Sequence, residues 1–240
     1  LSILPSSLIL IFLPLKNKHY KTAISGLCCF LLGVATIFMT GCRGAYLGLF
    51  IELFLVAILT YKFLKPIYKK IFLMISSFIS FLAFLFIISK ASLRARILSI
   101  FAMRSDSSNS FRFNVYNSCI DMFKDNWLLG IGVGNQNFRE IYGLYMKTGF
   151  DALSAYNIYL ETAVESGIFA LIAFVLFIIF VVKKSILKCI SSSEKNSSKI
   201  LYLTIVLMIC AVFGHGLFDT IWFRPQVQFL FWTFIAMIKD

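Results

Sequence analysis

The sequence predicts an all-α protein: a polytopic bundle of transmembrane helices interrupted by one long external loop that carries short helices of its own. Three observations support this. The 240 residues are 60% hydrophobic and only 14% charged, with a mean hydropathy of +0.87, whereas soluble domains hold about a quarter charged residues and about half apolar ones. Residues 22–40, 71–89 and 200–218 are apolar runs without a fixed charge, and about 20 such residues are needed to cross bilayer hydrocarbon. One connection, residues 90–156, is polar and far longer than the others. The predicted organisation is therefore residues 1–89 as transmembrane helices, 90–156 as the external loop, and 157–240 as C-terminal transmembrane helices.

Each segment follows from its own pattern. Residues 1–15 are apolar but begin abruptly at Leu1, with no basic stretch. That is not a signal peptide, and it reads as a cut end, making the chain the C-terminal part of a longer protein. Residues 45–61 span with one carboxylate, Glu52, inside. Such a group is either neutralised by a proton or paired with a helix outside this chain. A shorter run at 167–182 extends backwards into a polar helix. The final segment, about Thr220 to Ile238, contains Arg224-Pro225, and the helix after the proline is too short to cross alone. Residues 220–225 must enter as a broken, protein-covered piece.

Basic residues set the orientation. Lys16, Lys18 and Lys21, then Lys62, Lys65, Lys69 and Lys70, then Lys183, Lys184, Lys188, Lys195 and Lys199 fall on one side. The short turn at 41–44 on the other side holds only Arg43. The lysine-rich side is cytoplasmic, which puts 90–156 outside. The net charge of +12 does not indicate nucleic acid, because the apolar fraction leaves no polar binding face; the partner is the lipid bilayer. Six cysteines without a C-x-x-C spacing exclude a disulfide framework. The Ser/Lys stretch ISSSEKNSSK is a solvated loop.

In the external loop, a Ser/Asp cluster at 105–110 caps a helix start, and Phe113, Tyr116, Ile120, Phe123 and Trp127 recur at helical spacing. The plain reading is a helix lying on the membrane with a charged back. GIGVGN (130–135) is not a dinucleotide loop, because no strand precedes it. It is either a tight turn needing positive φ or a set of amides at the start of helix 136–147 that faces an anion.

Topology gathers Arg43, His215, Asp219 and Arg224 at one membrane depth beneath the loop that holds Arg112. Ionisable groups there are costly unless paired or facing water, which makes them functional candidates. The alternative is structural: Asp219 and Arg224 pin a kink, Arg43 snorkels, and His215 packs. No metal site is expected, since His19 and His215 lie on opposite sides, and no cofactor.

TGCRGAYLGLF (40–50), FRFNVYNSCIDMFKDNWLLGIGVGNQNF (111–138) and ALSAYNIYLETAVESG (152–167) resemble, in order, the turn, external-loop and re-entry signatures of the O-antigen ligase/polymerase superfamily. ALSAYNIYLETAVESG and HGLFDTIWFRPQVQ (215–228) further resemble a cyanobacterial and plastid branch described as inorganic-carbon (bicarbonate) transporters. The resemblance implies a multi-pass protein of the inner (plasma) membrane, or of a thylakoid or plastid membrane. Its ligand would be a polyprenyl-diphosphate-linked glycan, or a small anion in the transporter branch. It also implies anion-binding roles for Arg43, Arg112, Arg224, Asn157 and Asp219. The superfamily's loop histidine, its proposed base, is replaced here by Tyr156, a poor base at neutral pH. His215 is the substitute at the right depth, so the catalytic candidates are His215 and Tyr156, without a metal.

Overall fold

The computed structural model describes residues 20–63, 66–101, 107–191 and 196–238. They form α1 (Tyr20–Thr40), α2 (Arg43–Phe63), α3 (Pro66–Ser89), α4 (Ala91–Phe101), α5 (Ser107–Asp125), α6 (Asn135–Tyr145), α7 (Ile158–Ile190) and α8 (Asn196–His215). A 3-10 turn at Ile221–Phe223 and α9 (Pro225–Ala236) follow. There is no strand among the described residues, and the protein is an all-α polytopic helix bundle. The expected span at 1–15, the basic residues Lys16 and Lys18, the first part of the Ser/Asp cluster, and residues 192–195 of the Ser/Lys stretch lie outside the described residues.

Among the described residues four helices are long and apolar enough to cross a membrane: Lys21–Thr40, Pro66–Ser89, Ile158–Ile190 and Ser198–His215. Helix α2 is as long as α1, with 21 residues each, and buries Glu52 fully. The α1–α2 reversal takes two residues, and Gly41 adopts φ 63° there, a left-handed value that glycine reaches without a Cβ penalty. Helix α2 then packs along α8, the most extensive helix pairing in the bundle, and α8 packs in turn on α7. Gly44 at the start of α2 lies flat on the His215 ring at the end of α8, so these two helices run antiparallel.

Helix α8 stops at His215, three residues before the end of the predicted run. The chain turns there because the start of α7 docks on it: the Ile158 N–H donates to the Gly216 carbonyl at 2.9 Å. Helix α7 has 33 residues, about 50 Å of helix at 1.5 Å each, against a hydrocarbon core of about 30 Å. Gly167, at φ 78° and ψ −177°, breaks it into a membrane part and an outer part.

The predicted broken entry of the last segment is present. The 3-10 turn precedes Pro225 at the first position of α9, and α9 has only 12 residues. Trp222 is buried against Phe231, Phe213 and Phe174, with ring centroids 4.5, 5.1 and 5.7 Å away. This aromatic cluster covers the irregular backbone that lipid cannot satisfy.

The long loop has a core of its own, formed by Val115, Cys119 and Met122 of α5, Phe138 and Tyr142 of α6, Ala152, Ala155, and Val164 of α7. One face of α5 is therefore covered by protein. The buried stripe is Phe111, Val115, Cys119 and Met122, rotated from the predicted one, and Ile120 and Trp127 stay 42% and 53% exposed. Both stripes have helical spacing. Apolar residues of α5 fall on two overlapping faces, and α6 and α7 cover one of them.

Candidate functional site at the loop–bundle junction

The glycine loop is built first, because it positions everything after α5. The Ile131 and Gly132 N–H groups donate to the carbonyls of Val164 and Glu165, and the Ile168 N–H donates to the Trp127 carbonyl. A Cβ on Gly130 would lie 2.4 Å from the Glu165 carbonyl group, and one on Gly167 would lie 2.2 Å from the Leu128 oxygen. Two backbones therefore touch at the kink of α7. The Gly134 N–H, at the start of α6, donates to Glu165 Oε1 at 3.1 Å. Of the two alternatives for GIGVGN, the tight turn is present, with φ 72°, 97° and 121° at Gly130, Gly132 and Gly134, and the Gly134 amide is taken up by the protein's own Glu165 side chain. Glu161, one turn earlier, accepts from the Ala155 N–H at 2.9 Å. Sequence reading missed both carboxylates, and the i, i+4 pair in ETAVE is the signal that could have found them.

Residues 152–158 dock on residues 216–220. Asn157 Oδ1 caps α7, accepting from the N–H groups of Tyr159 and Leu160, while its Nδ2 donates to the Leu217 carbonyl at 3.1 Å. Both ends of the Asn157 amide are engaged structurally. The Tyr116 hydroxyl donates to the carbonyls of Tyr156 at 3.1 Å and Leu217 at 3.4 Å. Ser154 Oγ and Thr220 Oγ1 lie 3.0 Å apart. Among the described residues Tyr156 is the only non-glycine with positive φ, 49°, a conformation held where surrounding contacts over-determine it. Its ring packs edge-on against Phe111 and lies 5.9 Å from the Arg112 guanidinium carbon.

Burial pushes the Tyr156 hydroxyl above its ordinary pKa, with Arg112 opposing. Tyr116 is pushed up to about 12, again by burial against the opposing Arg112. Tyr156 therefore stays protonated at neutral pH, a donor rather than a base.

Arg43 and Arg112 both meet the first turn of α5. Arg43 Nη1 donates to Asn109 Oδ1 at 3.2 Å, and Arg112 Nη1 donates to Ser108 Oγ at 2.6 Å. Sequence reading took this Ser/Asp cluster only as a cap and missed Ser108 and Asn109 as arginine partners. Arg112 Nε is buried with no hydrogen-bond acceptor. Arg224, the N-cap of α9, is exposed and makes no ion pair with Asp219 among the described residues. Asp219 instead accepts from the Thr220 N–H at 2.8 Å and points its other oxygen at His215 Nε2, 3.8 Å away.

His215 is buried and its Nδ1 lacks a partner. Its Nε2 also lies 3.5 Å from Cys42 Sγ, a neighbour that sequence reading missed because it compared only the histidines. Glu52 sits deeper, and both of its carboxyl oxygens are without a hydrogen-bond partner.

Fold and site together define a multi-pass membrane protein with basic residues gathered where the helical loop domain meets the bundle. The O-antigen ligase family model matches residues 28–175, more than half of the chain, and the protein belongs to that family. No curated protein and no solved structure matches it. The bicarbonate-transporter branch finds no support in these comparisons.

Proposed function

We propose that this protein transfers a glycan from a polyprenyl-diphosphate carrier at the outer face of the inner (plasma) membrane, as a glycan ligase or polymerase does. The observation that carries the reading is the buried, acceptorless Nε–H of Arg112, on the α5 turn that also holds Arg43. A diphosphate oxygen supplies the missing acceptor, and a guanidinium is suited to it by charge and by planar geometry. The helices of 1–89 and 157–240 face the lipid tail, while 90–156 covers the reacting end from outside.

In the reaction an acceptor hydroxyl oxygen attacks the anomeric carbon. The bond from that carbon to the diphosphate breaks, and the leaving diphosphate keeps the electron pair. Arg112 and Arg43, with Arg224 at the rim, stabilise the charge that grows on it. The acceptor's proton goes to the His215–Asp219 pair, since Tyr156 stays protonated. Tyr156 donates to the substrate instead, and Asn157 and Asp219 hold the junction in shape.

The test is deletion of the gene for the intact protein, with envelope glycans and bicarbonate uptake measured in the same strain. Loss of a glycan species that wild type restores and Arg112→Ala does not is the expected result. Unchanged glycans with reduced bicarbonate uptake would replace transfer by anion carriage.

A further inference from the structure

Cys42, His215 and Asp219 come from two turns and a helix end, with Cys42 and His215 separated by 173 positions. Their ligand atoms nevertheless lie within 4.8 Å of one another. Gly44 makes this possible: a Cβ there would be 2.4 Å from His215 Cδ2, so only glycine lets the first turn of α2 bring Cys42 over the imidazole. The His215 side chain is 7% exposed and that of Asp219 25%.

The direction of the contacts carries the argument. In a nucleophile–histidine–carboxylate relay the carboxylate holds Nδ1 and leaves Nε2 for the nucleophile. Here thiol and carboxylate both face Nε2, while Nδ1 faces neither. One ring nitrogen carries at most one proton and cannot serve two acceptors well. Three electron-pair donors with their ligand atoms within 4.8 Å of one another can share a cation.

We infer that Cys42, His215 and Asp219 form a three-ligand site for a zinc-like divalent cation at the outer end of the bundle. A thiolate, an imidazole and a single carboxylate are a borderline-soft set, suited to zinc and not to magnesium or calcium. Tetrahedral zinc with ligands at about 2.3 Å (S), 2.0 Å (N) and 2.0 Å (O) needs S···N near 3.5 Å and N···O near 3.3 Å. The first separation is met at 3.5 Å and the second is 3.8 Å. Asp219, in a turn, closes the difference by a small rotation. Its Oδ1 is already oriented by the Thr220 N–H, as outer-shell partners orient metal-binding carboxylates. Thiolate and carboxylate together neutralise a divalent ion, so the arginines nearby do not repel the occupied site. Three protein ligands leave the fourth position open.

The inference goes beyond the transfer reading and does not rest on it. With the ion bound, the Nε2 lone pair is committed, and His215 is a ligand and not a base. The unpartnered Nδ1 lacks the outer-shell acceptor that ligating histidines normally have, a lack that costs about 10–100-fold in affinity. The site should therefore bind zinc tightly enough to detect but short of structural zinc sites.

The test uses the full chain in lipid nanodiscs, with Cys28 and Cys29 replaced by serine to remove an adjacent thiol pair. Cobalt(II) titration should produce a thiolate-to-cobalt charge-transfer band that zinc displaces. Cys42→Ser should abolish the band, and Asp219→Asn should weaken cobalt affinity roughly tenfold or more. Peptide-mapped alkylation of Cys42, with and without zinc, keeps the inference testable if the variants fail to fold: zinc should slow it at least about tenfold, because a coordinated thiolate is protected. No charge-transfer band together with an alkylation rate indifferent to zinc would overturn it. Loss of glycan transfer in Arg112→Ala with an unchanged cobalt spectrum would support cation binding that does not depend on the diphosphate-binding arginine.

Discussion

Replacing Arg112 by lysine tests the diphosphate reading more sharply than removing the side chain. Lysine keeps the positive charge at the same position on α5. It loses the Nε–H, which is buried without an acceptor, and the flat guanidinium 5.9 Å from the Tyr156 ring centre. If a diphosphate oxygen accepts from Nε–H, its loss costs about 1.5–3 kcal/mol, the range for hydrogen bonds to charged groups. At about 1.4 kcal/mol per decade that is roughly a 10–150-fold fall in kcat/KM. The assay is initial-rate transfer in proteoliposomes over a series of donor concentrations, with inorganic diphosphate as a competing inhibitor. Arg112→Lys should lower kcat/KM and weaken inhibition together, with the fold intact by thermal unfolding. Wild-type behaviour of Arg112→Lys would show that only charge matters there, and wild-type behaviour of Arg112→Ala would remove Arg112 from the site.

Four further outcomes follow from the geometry. Gly130→Ala and Gly167→Ala should each destabilise by about 2–5 kcal/mol, combining a left-handed φ with a Cβ pressed into backbone; a melting temperature within error of wild type would refute the close approach. Burial pushes Cys119, Tyr116 and Tyr142 up to about 12, so their stabilising effect is whole below about pH 9 and is lost as pH rises toward 12. Near-ultraviolet dichroism should follow that loss, and Cys119→Ala should flatten its onset. Gln136→Cys, exposed on α6, should react with an impermeant thiol reagent in intact cells while Cys189 should not; buried Cys119 should stay silent. Glu52→Gln removes a buried carboxyl that has no hydrogen-bond partner and should leave thermal stability unchanged or raised; loss of transfer with intact folding would make Glu52 functional.

Hydropathy located the bundle because lipid imposes a length and a polarity on each crossing, and residues 22–40, 71–89 and 200–218 satisfy both. The break at Arg224-Pro225 was legible for the same reason, since too few apolar residues follow it. The phase of α5 was not. Periodicity shows that a helix has an apolar face, but which of two overlapping faces is covered depends on where α6 and α7 come to rest. The glycine loop was legible as a tight turn, with positive φ at Gly130, Gly132 and Gly134, but not its partner: the Gly134 N–H meets the Glu165 carboxyl, 31 positions later. Cys42 beside His215 was invisible because their meeting depends on a packing contact at Gly44 and on no local pattern. Asp219 was expected at the membrane depth of His215, without a stated contact. It reaches the imidazole across a turn, because α8 stops at His215.

Tyr156 shows how a site can keep its frame while changing its chemistry. The family resemblance implies a histidine at this position, and the backbone still adopts φ 49° for a residue with a Cβ. That strain is held by neighbours and not by the ring: the Tyr116 hydroxyl on the Tyr156 carbonyl, the Asn157 cap on α7, and the Ile158 N–H on the Gly216 carbonyl. A tyrosine ring on this frame lies between Phe111 and Arg112, with its hydroxyl kept protonated by burial. The residue that would have accepted a proton now donates one. In the transfer reading the acceptor function must then come from elsewhere, and the facing wall offers the ionisable groups of the turn on which 152–158 docks. His215 begins that turn and Asp219 lies within it. A change from histidine to tyrosine at 156 therefore moves the burden of proton removal from the loop to the bundle, and His215 can carry it only while its Nε2 is free of a metal ion.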